Sequence, residues 1–155
     1  MVRIRWIITD DIKNVDFYEF SSEWNGIFGY FEIRVNNRVV GFYPDRELFP
    51  NEDGNEDISY WLNKLLDGIM QLDMRKEYEI QLLSMNLLKL VFNKRNVLVI
   101  SLVNTQTNDM IWSERIPYEE MYDEIRKNIR SFIREINNLN PALLEAGLIK
   151  ELTQI

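Results

Sequence analysis

Residues Ile27-Phe-Gly-Tyr-Phe-Glu-Ile-Arg-Val35, Asn36-Asn37 and Arg38-Val-Val-Gly-Phe-Tyr43 read as a β-hairpin. Two strand-like runs flank a pair of asparagines, the residue type that best tolerates, after glycine, the positive φ of a two-residue turn. In the first arm Phe28, Tyr30, Glu32 and Arg34 alternate with Gly29, Phe31, Ile33 and Val35. The period of two gives one apolar face and one half-polar face. A hairpin with one face to bury calls for further strands and a covering layer.

Outward from the hairpin, Val2 to Thr9 suits a first strand, and Asp10-Asp11 with Lys13-Asn14 marks a turn after it. Pro44 to Asp57 contains Pro44, Pro50, Gly54 and six acids, so a surface loop is expected there. Asp57 then suits the N-cap of a helix from Ile58 to about Leu72, with Ile58, Trp61, Leu62, Leu65, Ile69 and Leu72 at helical spacing. Gly68 interrupts that helix, which points to close backbone packing. Tyr78–Leu83, Leu87–Phe92, Asn96–Val103 and Met110–Ile116 read as four more strands. Pro117 opens a second long helix with Glu119, Glu120, Asp123 and Glu124 early, and with Arg126, Arg130 and Arg134 later. A short final helix runs through Leu143, Leu144 and Leu148. The strands follow one another too closely for crossover helices. The expected fold is therefore a single α+β domain, residues 1–155, with a mainly antiparallel sheet of six to seven strands and helices on one face.

Composition removes most chemistries. The chain has neither Cys nor His, so disulfides, thiolate nucleophiles, cysteine zinc sites and the usual acid/base side chain are all missing. The N-terminal apolar stretch is shorter than a signal-peptide core, and no window suffices to span a bilayer, so a cytoplasmic protein is expected, without membrane contact. The net charge is −7, and residues 1–79 carry the whole excess, with 16 acids against 9 bases. An acidic chain without a basic aromatic groove repels phosphate backbones, which argues against nucleic acid as a partner.

Carboxylate patterns invite two further tests. Asn51, Asp53, Asn55 and Asp57 alternate like the ligands of a calcium loop. However, Asn51, Glu56 and Leu62 stand where that loop wants Asp, Gly and Glu. Acid pairs such as Asp10 with Asp11, or Asp45 with Glu47, are compatible with a metal-dependent hydrolase, but Glu32-Ile33-Arg34 puts Arg where a nuclease strand needs Lys. Neither pattern assigns a cofactor, a metal or a catalytic residue, and the chain is read as a non-enzyme. Arg126, Arg130 and Arg134, spaced four apart, make a ridge able to grip a carboxylate or phosphate; the helix dipole alone offers a plainer account of cations there.

Phe31-Glu-Ile-Arg-Val-Asn-Asn-Arg-Val-Val-Gly-Phe-Tyr-Pro44, with its acidic sequel and Ile58-Ser-Tyr-Trp-Leu-Asn-Lys-Leu-Leu66, resembles immunity proteins of bacterial polymorphic toxin and contact-dependent growth inhibition systems. The resemblance covers about residues 27–72 and the overall build. It implies a cytosolic antitoxin that binds and neutralises a cognate basic toxin domain, commonly a nuclease. Asp45, Glu47, Glu52, Asp53, Glu56 and Asp57 would then stand in for substrate phosphates, and Trp24, Tyr43 and Phe49 would serve as apolar anchors. The alternative from another class is a non-catalytic assembly protein that forms homo-oligomers, using an edge strand or the apolar C-terminal residues Leu143, Leu144, Leu148, Ile149 and Leu152.

Overall fold

A computed structural model describes residues 1–21, 26–50, 52, 54–85 and 87–155. The hairpin forms as its sequence dictates. β2 (Phe28–Val35) and β3 (Arg38–Phe42) pair antiparallel with Val35 opposite Arg38. Asn36 takes the positive φ, 55°, at the turn. β1 (Val2–Ile8) runs along the other side of β2, from Val2 opposite Val35 to Ile8 opposite Gly29. The apolar face presents Phe31, Ile33, Val35, Ile4 and Val2, all buried. Gly41 sits at φ 88°, and a Cβ there would fall 2.1 Å from the Phe31 carbonyl oxygen, so only glycine fits this end of β3. A two-residue strand, β4 (Glu56–Asp57), pairs with Phe28 and Gly29 at the start of β2.

The chain passes through a short helix, α1 (Phe17–Glu19), capped by Asp16, whose carboxylate accepts from the Tyr18 and Glu19 amides. Asp57 caps α2 (Ile58–Gln71) by accepting from the Tyr60 amide at 3.0 Å. The predicted stripe of α2 is buried along its length, and Trp61 stacks on Phe31 at 5.0 Å. A Cβ on Gly68 would meet the Tyr78 ring at 2.7 Å, which explains the helix-weakening glycine by close packing.

β5 (Glu77–Gln81), β6 (Leu88–Lys94), β7 (Leu98–Asn104) and β8 (Met110–Ile116) form an antiparallel meander. The fold is α+β and antiparallel as expected, but its eight strands make two sheets of four rather than one sheet of six or seven. The reason lies in β4 and α2. β4 occupies the remaining edge of β2, and α2 then carries the chain away, packing on both β2 and β5 so that one helix covers both sheets. Phe92, Leu98 and Ile100 of the second sheet join the same apolar cluster as Phe31 and Trp61.

α3 (Tyr118–Leu139) follows Pro117, which stands at the N-cap, one position before the first helical turn where it was expected. A 3₁₀ turn (Pro141–Glu145) and α4 (Gly147–Leu152) close the chain. Asn140 ties this end back to the start by donating its side-chain amide to the carbonyls of Ile12 and Val15 at 2.8 and 2.9 Å.

α3 also solves the exposed-edge problem of β1. An edge strand leaves every second amide unpaired. Here the Val2 and Ile4 amides donate to the Glu120 and Glu124 carboxylates, each at 2.9 Å, from successive turns of α3. Asn128 continues the row, accepting from the Trp6 indole at 3.2 Å and donating to Glu124. Truncating Glu124 to Ala strands the Ile4 amide and will lower the unfolding free energy by about 1–3 kcal/mol. Glu124→Gln keeps an acceptor oxygen and will retain most of it. Urea denaturation of both variants tests this; equal losses would show that charge, not the acceptor oxygen, holds the strand.

Candidate functional site

Apart from Trp24, the expected partner-binding residues fall on the segment from the end of β3 to the start of α2, and the structure divides them into separate environments. Trp24 and Asp53 lie outside the described residues, as does Asn51 of the calcium-like alternation. Glu56, expected on the surface, is 3% exposed. Its carboxylate accepts from the Trp61 indole N–H at 3.0 Å and from the Ser84 hydroxyl. A buried carboxylate with these donors is part of the core and cannot meet a partner. The correction follows from β4, whose pairing with β2 turns Glu56 inward.

Asp57 is spent on the α2 cap. Burial pushes its carboxyl up, against hydrogen bonds from Ser59 and Tyr60 that pull it down. Asp45 and Glu52 each face an arginine. The Arg5 guanidinium reaches Asp45 at 2.6 Å with one nitrogen and buried Glu32 at 2.7 Å with another, and the hydrogen bond from Arg5 holds the Asp45 carboxyl below the usual range. Tyr43, half-buried, lies under the same guanidinium at 4.1 Å. Of the five described acids, Glu47 alone is exposed with a carboxylate in no hydrogen bond or ion pair among the described residues.

Arg46, which no periodicity singles out, organises the loop. Its two terminal nitrogens meet both oxygens of Glu52 at 2.7 Å, and they also donate to the carbonyls of Gly41 and Glu47 at 3.0 Å. Glu52 accepts the Phe49 amide at 3.0 Å, and the hydrogen bond from Arg46 holds its carboxyl low despite partial burial. The guanidinium lies between the rings of Phe42 and Phe49, 5.0 and 4.7 Å from their centroids. One side chain thus braces a loop whose tip, Glu47-Leu48-Phe49, faces solvent, with Leu48 47% and Phe49 66% exposed.

Beside the tip is a groove of about 360 Å³. Arg34, Asp45, Arg46 and Phe49 line one side, and Met85, Leu88 and Leu102 of the second-sheet region line the other. Arg34 is half-buried, and its guanidinium forms no ion pair or hydrogen bond among the described residues. The arrangement combines an apolar wall, an exposed aromatic and both signs of charge; it suits recognition of a surface.

Among the described residues no group of three or more acids stands ready to hold a metal ion, and no helix is long and apolar enough to cross a membrane. Leu143, Ile149 and Leu152, expected as apolar surface near the C-terminus, are interior. They pack α4 and the 3₁₀ turn on α2 and α3. A scan against protein-family profiles, a search of curated proteins and a search of solved structures each find no match to this chain.

Proposed function

We propose that this chain is a non-catalytic, cytoplasmic protein-binding module of the immunity kind, which binds and neutralises a cognate toxin domain with a basic surface. The observation that carries the proposal is the braced loop tip. Phe49 and Leu48 are held out to solvent by the Arg46–Glu52 fork, beside the unpaired Glu47. Aromatic and aliphatic anchors presented rigidly pay little ordering entropy on binding, and they dominate interface energetics. The net charge of −7 supplies the long-range attraction to a basic partner.

The internal arginine pairs change the form of the reading. Asp45 shares Arg5 with Glu32, Glu52 is paired with Arg46, and Glu56 is buried. Among the described residues, the phosphate-mimicking row thereby gives way to an apolar anchor with an unpaired acid, Glu47, and a rim acid, Asp45, whose side chain is 53% exposed.

Immobilised protein should capture one basic protein from a lysate of the source organism, and co-expression should relieve that protein's toxicity. The double change Leu48→Ser, Phe49→Ser will weaken capture at least about thirtyfold, the size of a hot-spot loss of about 2 kcal/mol. Glu47→Gln will mainly reduce the association rate and its salt dependence. Capture untouched by the double change, or a captured protein without toxicity, would refute the proposal.

A further inference from the structure

The arginine ridge of α3 divides in two. Arg126 lies over the Tyr122 ring at 5.3 Å. Arg130 and Arg134 instead line a groove of about 280 Å³ between α3 and the C-terminal segment, walled by Ile133, Leu144, Leu152 and Ile155. Both are exposed, and neither guanidinium forms a hydrogen bond or ion pair among the described residues. The helix dipole does not account for them. α3 runs on to Leu139 and has no basic residue in its last turn, whereas the dipole acts within that turn. Two unpaired cations one turn apart repel each other, on a chain that is otherwise strongly acidic.

We propose that this groove binds an aliphatic carboxylate of the fatty-acid type, with the chain laid on Ile133, Leu144 and Ile155 over the buried Leu152 and the carboxylate held between Arg130 and Arg134. The forked guanidinium matches a carboxylate, and the apolar walls match a methylene chain. The lining also selects against a peptide. Its only other polar side chains are Asn137 and Thr153, and the Thr153 hydroxyl already donates to the Lys150 carbonyl at 2.6 Å. Peptide amides laid here would lose water without finding partners, whereas a hydrocarbon chain has none to satisfy.

Titration of the full chain with sodium decanoate below its micelle concentration, followed by methyl and arginine side-chain NMR, tests the assignment. Saturable shifts confined to Ile133, Leu144, Ile155, Arg130 and Arg134, and to Leu152 directly beneath them, are expected. Arg130→Gln with Arg134→Gln, at solvent-exposed positions, should leave the spectrum folded and weaken decanoate at least tenfold, while 1-decanol binds both proteins equally. Absence of saturation, decanoate binding indifferent to the two changes, or an acidic apolar peptide outcompeting decanoate would overturn it.

Discussion

Replacing Glu56 by Ala will lower the unfolding free energy by about 3–5 kcal/mol, the largest loss expected from any single truncation in the 44–57 segment. The side chain is 3% exposed, and its carboxylate is the acceptor for the Trp61 indole and the Ser84 hydroxyl. Removal strands the Trp61 indole in the interior and takes the acceptor from the half-buried Ser84 hydroxyl, at a cost of about 1–3 kcal/mol each, and leaves a void beside the ring that stacks on Phe31. Because Glu56 also belongs to β4, the pairing with Gly29 loosens with it. Glu56→Gln discriminates the mechanism. The amide is nearly isosteric: its oxygen can accept from the Trp61 indole while its N–H donates to the Ser84 hydroxyl, which turns to accept, so well under half the loss is expected. Urea melts monitored by Trp fluorescence measure both variants. A cost under about 1 kcal/mol for Glu56→Ala would mean that water enters and replaces the carboxylate.

That result bears on what the sequence could disclose. The hairpin, α2 and α3 were legible because each rests on local chemistry: Asn36-Asn37 for the turn, Asp57 for the cap, and stripes such as Ile58, Trp61, Leu62 and Leu65 for the buried face. Antiparallel pairing was legible from the short connections. The split into two sheets was not, since it depends on β4, two residues long and composed of Glu56 and Asp57, which carry every local mark of a solvated loop. The same ambiguity hid the roles of Glu120 and Glu124. Early acids in a helix are expected from the dipole alone, and nothing local announces that two of them also cap the amides of β1, more than a hundred residues away in sequence.

The candidate site was half legible, for a related physical reason. Composition located the segment and named Tyr43 and Phe49, but charge counting treats each carboxylate as free. Pairing is a tertiary property. Arg5 reaches Asp45 from β1, and Arg46 folds back on Glu52 six residues later, too far apart to be neighbours on a helix or a strand. The pairing of Asp45 and Glu52 therefore follows from which arginines the fold brings near, and the exposed Leu48 and Phe49 emerge as the loop's distinguishing feature.

Arg46→Ala will cost about 2–3 kcal/mol at pH 7, because it leaves the Glu52 carboxylate, 13% exposed, without its forked partner and removes the cation between Phe42 and Phe49. The electrostatic part of this loss has a defined pH dependence. Arg46 holds the Glu52 carboxyl below its ordinary value, about 4.3 in unfolded chains. A carboxyl depressed on folding contributes stability that is complete above the unfolded value and disappears as pH falls through the folded one. The gap between wild type and Arg46→Ala should thus be widest at pH 7, begin to narrow near pH 5 and shrink further towards pH 3. Arg46→Lys retains the charge but not the planar fork, and should recover less than half of the loss. Chemical denaturation across that range decides between two roles for one side chain. A gap that narrows identifies the ion pair as the brace of the Glu47–Phe49 tip; a gap constant from pH 7 to 3 assigns the bracing to guanidinium packing on the two phenyl rings.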